Sequence, residues 1–205
     1  MSDPKLLVAT ANPGKVRELA AILAGLPVEL VGLRDAGAGE PPEVEETGAT
    51  FLDNALIKAR AYAAWSGLAA LADDSGLEVD ALGGAPGVHS ARYAGPGATD
   101  QANLDKLLAE LTGVPNAERT GRFRCAAVLA DPEGGEWHAE AAWDGHLLTA
   151  PRGEGGFGYD PVFLPVGWDL TSAEVDAATK NAASHRFQAF TALRPAVEVW
   201  AAGRA

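Results

Sequence analysis

The sequence is short of cysteine, of positive charge and of long apolar runs, and each shortage removes a class of protein. Cys125 is the only cysteine among 205 residues. No intrachain disulfide can form, and a reducing, cytoplasmic setting is expected. Lys and Arg number 16 against 28 Asp and Glu, a formal net charge of −12. A protein that coats DNA or RNA needs a basic face to neutralise phosphates, so no nucleic-acid partner is expected. The deficit does not exclude binding one small anion, because a few well-placed lysines decide that locally. No stretch approaches the roughly 18 uninterrupted apolar residues of a membrane span, so no membrane partner is expected. The opening "MSDPKLLVAT" has too short an apolar run for a signal peptide, and no small-residue cleavage pattern follows it. No internal repeat, low-complexity linker or clear domain boundary is visible. Residues 1–205 read as one domain, with room for two lobes.

What the chain does have is apolar content, 47% of residues, enough for a sizeable core. "KLLVAT" reads as a buried strand. Asn12 then stands where an N-cap belongs and Pro13 where the first helical residue belongs. Val16, Leu19, Ala20, Leu23 and Leu26 follow at helical spacing, with Gly25 marking the end. "VELVGL" (28–33) is a second strand, and residues 35–48, rich in Gly, Pro and Glu, a loop. A helix over "TFLDNALIKARAYAAWSG" opens on a Thr50/Asp53 capping box and carries a stripe of Leu52, Leu56, Ala59 and Ala63. "LAALADDSGLEVDAL" reads as strand, acidic turn, strand, and "GGAPGVHSARYAGPGA" as a glycine-rich loop. Asp100 is placed to cap a helix with Leu104, Leu107, Leu108 and Leu111 on its apolar face. "RFRCAAVLAD" and "EWHAEAAWDGHL" pattern as a hairpin about "PEGG", and "PRGEGGFGYDPVFLP" as a loop. A short helix near 171–178 and a long one from Ser184, bent or interrupted at Pro195, close the chain. Helices and strands alternate early and strands cluster later, which predicts α/β architecture with a mixed sheet. The five tryptophans (Trp65, Trp137, Trp143, Trp168, Trp200) read as core or interface packing.

Four segments carry chemistry. "TANPGK" joins a strand end to a helix start, where free backbone N–H groups and the helix dipole favour anions, and Lys15 adds a full positive charge. An ordinary capped helix with a surface lysine explains the same residues. The Walker A pattern fails, with Ala9 in place of its first glycine and Val16 after the lysine. Glu45 and Glu46 lie in a loop, and Asp73, Asp74 and Ser75 emerge from an apolar run. Adjacent carboxylates at a strand end cost repulsion and desolvation unless a cation, a helix N-terminus or water compensates. Mg2+ would do so, with one glutamate and one aspartate as ligands; a hydrogen-bonded Asp-Ser turn is the alternative. In "GGFGYDPVF" the glycines allow close approach, and Phe157 and Tyr159 offer faces for a flat ring, or plugs for the core. In "KNAASHRFQ", Ser184 reads as an N-cap, which puts His185 and Arg186 in a first helical turn as donors to purine or phosphate oxygens. Together these are the parts for a nucleoside triphosphate.

The stretches "ATANPGKVREL", "EETGATFLDNALIKA", "ADDSGLEVDALGGAPGVHSARY", "GGFGYDPVF" and "SHR" run in order from residue 9 to residue 186. In that order the sequence resembles the non-canonical purine nucleoside triphosphate pyrophosphatases, the inosine/xanthosine triphosphatase or RdgB-like family. The resemblance implies a cytoplasmic homodimer of α/β subunits. Each subunit would have two lobes around a long twisted mixed sheet with flanking helices and an active site in the inter-lobe cleft. It implies Mg2+-dependent hydrolysis of ITP, dITP and XTP to monophosphate and pyrophosphate, cleansing the nucleotide pool. Carried over, Thr10, Ala11, Asn12, Gly14 and Lys15 meet the triphosphate, as does Lys58. Glu46 and Asp74 bind the metal, and Asp74 is also the general base. Ser75, Phe157, Gly158, Tyr159, Asp160, Lys180, His185 and Arg186 contact the nucleotide, and Asp73 supports the acidic pair.

Attack at the α-phosphorus releases pyrophosphate and attack at the γ-phosphorus releases phosphate. The residues alone leave both open; the resemblance implies the first. Donors at the base favour the 6-oxygen of inosine and xanthine over the adenine amino group, because an unpaired buried donor costs about 1–3 kcal/mol. A pyrophosphatase for other altered nucleotides, a γ-phosphatase and a nucleotide sensor without turnover are the competing readings.

Overall fold

The computed structural model describes residues 3–10, 12–37 and 39–204. Six strands form one sheet: β1 (Lys5–Val8), β2 (Glu29–Gly32), β3 (Ala69–Val79), β4 (Thr120–Ala130), β5 (Glu136–Leu147) and β6 (Phe163–Pro165). Their order is β2-β1-β3-β4-β5-β6. β1 pairs in parallel with β2 and with β3, with Leu7 opposite both Val31 and Ala70. β5 and β6 are antiparallel, so the sheet is mixed, as the alternation of elements predicts. The helices are α1 (Pro13–Ile22), α2 (Phe51–Ser66), α3 (Asp100–Glu110), α4 (Ala177–Ala183) and α5 (His185–Ala202).

The chain forms two compact units. The first comprises Met1–Asp74, Cys125–Ala141 and Arg186–Ala205, and the second Ser75–Arg124 and Ala142–His185. The first core joins Leu6 and Val8 of β1, Leu19 and Leu23 on the α1 side, Leu71 of β3, Leu129 of β4, and Phe190, Leu193 and Val197 of α5. The second joins Leu77 and Val79 of β3, Leu104 and Leu107 of α3, Phe123 of β4, Trp143 and Leu147 of β5, and Tyr159, Val162 and Phe163. Of the tryptophans, Trp143 and Trp200 are buried core residues, while Trp65, Trp137 and Trp168 are half-buried.

Two of the local cap signals hold. The Asn12 side chain accepts from Lys15 N at 3.4 Å, and Pro13 opens α1. Thr50 and Asp53 form the reciprocal capping box of α2, and Gly67 ends that helix in the left-handed conformation.

Several expectations are corrected. The acidic stretch is not a turn: β3 runs unbroken through Asp73, Asp74 and Ser75. Strand pairing uses backbone groups, and alternation sends consecutive side chains to opposite faces, which separates the two carboxylates. In α2, Ala59 and Ala63 are buried as expected, but the first half of the stripe is shifted by one residue: Phe51 and Ala55, with Asn54, are buried, and Leu52 and Leu56 are only half-buried. Ala20 is exposed, and within the glycine-rich loop residues Gly87–Arg92 form a 3-10 helix. The cap of α3 is Thr99, which accepts from Ala102 N at 3.2 Å, and Asp100 is its first helical residue. Residues read as loop include the strand β6. The short helix starts later than expected, at Ala177, because Asp176 caps it by accepting from Thr179 N at 2.9 Å. α5 continues through Pro195: one backbone donor is lost, while Phe190 and Leu193 before it and Val197 and Trp200 after it keep both halves in the same core.

Replacing Thr50 by Ala removes the cap and is expected to lower stability by about 1 kcal/mol. Phe190→Ala, in the first core, should cost about 3–5 kcal/mol. Urea unfolding of both variants beside the parent checks the ranking.

Candidate active site

The alternation of β3 organises the polar residues of the first unit. Ala69 and Leu71 face the cluster that includes α1 and α5, and Asp73 continues that parity. Lys15, in the first turn of α1, donates to both Asp73 oxygens, at 2.9 and 2.7 Å. Arg186, in the first turn of α5, donates through Nε to Asp73 Oδ2 at 3.3 Å and through Nη1 to Glu18 at 3.3 Å. Burial opposes ionisation of Asp73, but Lys15 and Arg186 outweigh it and hold the carboxyl far below its usual range. Burial likewise works against the Arg186 charge, and Asp73 more than restores it. Two carboxylates and two cations make this group neutral within itself.

Asp74 takes the other face. Its Oδ2 accepts from Asn54 Nδ2 at 3.0 Å, and its Oδ1 lies 3.5 Å from Lys58 Nζ. The same Nζ donates to Glu46 Oε1 at 3.1 Å, so Glu46 and Asp74 converge on one cationic nitrogen. Burial lowers the Lys58 pKa, but Asp74 and Glu46 outweigh that and raise it. Asn54 and Lys58 stand four residues apart on α2, one turn above the other. Asn54 Oδ1 also accepts from Gly48 N at 2.7 Å, tying the glutamate loop to the helix. A Cβ on Gly48 would meet Asp53 Cβ at 2.5 Å and Asn54 N at 2.9 Å, so only glycine fits that approach.

The first loop is partly described. Thr10 Oγ1 accepts from Asn12 N at 3.2 Å, and Gly14 lies in the first turn of α1. Ala11 lies outside the described residues.

In the second unit, Asp160 organises the "GGFGYD" loop. It is 2% exposed, its Oδ2 accepts from Phe157 N at 2.8 Å and from Lys180 Nζ, and its Oδ1 accepts from Ser172 Oγ at 2.8 Å. Lys180 Nζ also sits 4.7 Å from the Phe157 ring centroid, and that ring is 58% exposed. Gly158 N donates to Asp100 Oδ2 at 2.8 Å. Tyr159 is not a second platform: its ring belongs to the core and its hydroxyl donates to Ser90 O at 2.8 Å. His185 is buried, its ring stacked on Phe123 with centroids 5.0 Å apart. Ser75 is half-buried in β3.

Comparison with known proteins identifies the family. The family model described as Ham1 family matches residues 6–196. This chain belongs to the Ham1 family. It is 54% identical over 191 residues to the dITP/XTP pyrophosphatase of Methylococcus capsulatus, covering 92% of this chain and 94% of that protein. It is 54% identical over 195 residues to the enzyme of the same name from Streptomyces coelicolor, covering 94% and 96%. Among solved structures, a HAM1 protein from Coxiella burnetii superposes with a TM-score of 0.88 at 39% identity, over 95% of this chain and 98% of that one.

In this Ham1 chain four polar residues escaped the sequence reading: Asn54, Glu18, Ser172 and, as a loop anchor, Asp100. The first two had a signal. Asn54 lies one turn before Lys58, and Glu18 three residues after Lys15, so each shares a helix face with a residue already singled out. Ser172 meets Asp160 only through the tertiary fold.

Asp73→Asn strands Lys15 and the buried Arg186 and is expected to cost about 3 kcal/mol at pH 7. A depressed native pKa contributes stability above the unfolded carboxylate pKa, and that contribution fades as pH falls below it. The gap between variant and parent should therefore narrow from about pH 4 downward, which urea unfolding across pH 3–7 would show.

Proposed function

We propose that this chain hydrolyses ITP, dITP and XTP to the nucleoside monophosphate and pyrophosphate, with Mg2+ as cofactor. The observation that carries this reading is the convergence of Glu46 and Asp74 on one cation, Lys58 Nζ. Such a pair offers only hard carboxylate oxygens. Among the described residues no group of three or more His, Cys, Asp or Glu gathers. One or two carboxylates, with water and substrate phosphate completing the shell, is the manner in which Mg2+ is usually held. The donor set fits. Two carboxylates against one lysine leave a negative site, which a divalent cation reverses. When bound, Mg2+ supplies Lewis-acid charge to the phosphate oxygens and lowers the pKa of a neighbouring water.

The chain's own groups do the rest. Asp74 accepts the proton of the attacking water. Asp73 is unsuited to that task, because Lys15 and Arg186 hold its proton affinity far down. Lys15 and Lys58, with the N–H groups at the start of α1, offset the charge of the polyphosphate, which an acidic protein otherwise repels. The exposed ring of Phe157 gives the purine a face to stack on. Lys180, beside it, provides a donor that matches a 6-oxygen and not a 6-amino group. The relatives' name, dITP/XTP pyrophosphatase, supports both the substrate class and cleavage at the α-phosphorus. The same reading takes the working species as a cytoplasmic homodimer, which light scattering tests against the 21.1 kDa chain mass.

With Mg2+ present, ITP should yield IMP and pyrophosphate, and EDTA should abolish turnover. Orthophosphate and IDP as products would instead establish a γ-phosphatase. Asp74→Asn should lower kcat by about 10²- to 10⁴-fold with the fold retained; a near-parental rate removes Asp74 as the base. Lys180→Ala should shrink the preference for ITP over ATP, read as the ratio of kcat/KM values.

A further inference from the structure

We infer that Asn54 is a positioning residue that fixes the Asp74 carboxylate, and with it the Glu46 loop, for the divalent cation. The inference rests on the proposed function and names the part of the site that sets its geometry. Asn54 is fully buried, 0% exposed, on a helix face otherwise made of Phe51, Ala55, Ala59 and Ala63. A buried amide in such a stripe costs stability unless each end is paired. Both ends are. The Gly48 N–H meets Oδ1 at 2.7 Å, and Nδ2 donates to Asp74 Oδ2 at 3.0 Å. The orientation is not arbitrary. A backbone N–H needs an acceptor and a carboxylate needs a donor, so flipping the amide would spoil both contacts.

Three consequences follow for the cation. First, the two oxygens of Asp74 are assigned different partners: Oδ2 goes to Asn54, while Oδ1 is the oxygen on the side of Lys58 and Glu46. Second, Gly48 is two residues from Glu46, so the bond that orients Asp74 also anchors the segment carrying the other carboxylate. Third, the anchor belongs to the start of α2, where the Thr50/Asp53 capping box already fixes the backbone. One amide therefore couples a strand, a loop and a helix end. Groups that orient ligating carboxylates typically alter metal affinity or activity about 10- to 100-fold when removed.

The test uses two variants of the full chain. Asn54→Ala deletes the amide, and Asn54→Leu keeps its volume in the apolar stripe, so that one remains informative if the other folds poorly. Binding of Mn2+ alone, measured without nucleotide by the paramagnetic signal of the free ion, is the first readout. The expected result is affinity weakened about tenfold or more. The second readout is steady-state ITP hydrolysis at saturating Mg2+: kcat should fall about 10- to 100-fold while KM changes little. A merely structural asparagine would lower the melting temperature and leave both readouts alone. Folded variants with parental Mn2+ affinity and kcat would overturn the assignment. If the parent protein binds Mn2+ but leaves ITP intact, the substrate reading fails, and the Mn2+ comparison still decides the role of Asn54. A parent that binds no Mn2+ overturns the assignment as well.

Discussion

Two adjacent aspartates on one strand impose the constraint on which the site is built. Alternation along β3 sends Asp73 and Asp74 to opposite faces, so their charges are answered by different partners. On one face α1 and α5 supply Lys15 and Arg186, and on the other α2 supplies Asn54 and Lys58. Asp73 becomes an anchor, a buried anion that draws two helix N-terminal turns onto the strand. Asp74 meets a neutral amide and one lysine shared with Glu46, and its surroundings keep an excess of negative charge. Identical side chains, one residue apart, thus acquire different chemistry from the pleat alone.

A related economy operates in the second unit. Asp160 lies in the "GGFGYD" loop, and its oxygens point into the protein, to Phe157 N, Lys180 and Ser172. Its effect on the loop is to hold an exposed aromatic ring and a lysine in register. Tyr159, two residues from Phe157, is drawn into the core, and its hydroxyl finds a backbone carbonyl there. The loop presents one ring outward and buries the other, a division that an alternating apolar motif does not announce.

Charge is used locally against the global balance. The chain carries an excess of carboxylates, yet Lys15, Lys58, Lys180 and Arg186 each sit on named acids, in the groups around Asp73, Asp74 and Asp160. Paired in this way the cations are held in place, with little side-chain freedom left to them.

The sequence by itself determined the local events: the Asn12 cap and Pro13 start of α1, the Thr50/Asp53 box, the hairpin about residues 131–135, and the mixed α/β alternation. These depend on neighbours within a few residues, so composition and spacing suffice to read them. It also singled out Glu46 and Asp74 as a carboxylate pair, and Lys58 beside them, through the resemblance carried by ordered motifs from residue 9 to residue 186. Tertiary structure alone decided the continuity of β3, the sixth strand, the continuation of α5 through Pro195, and the partners of each aspartate. The reason is physical. A carboxylate in a strand is tolerated only where distant segments bring cations or amides to it. Which face receives Lys15 and which receives Asn54 is set by how helices from far along the chain pack on the sheet, and spacing along one strand does not encode that.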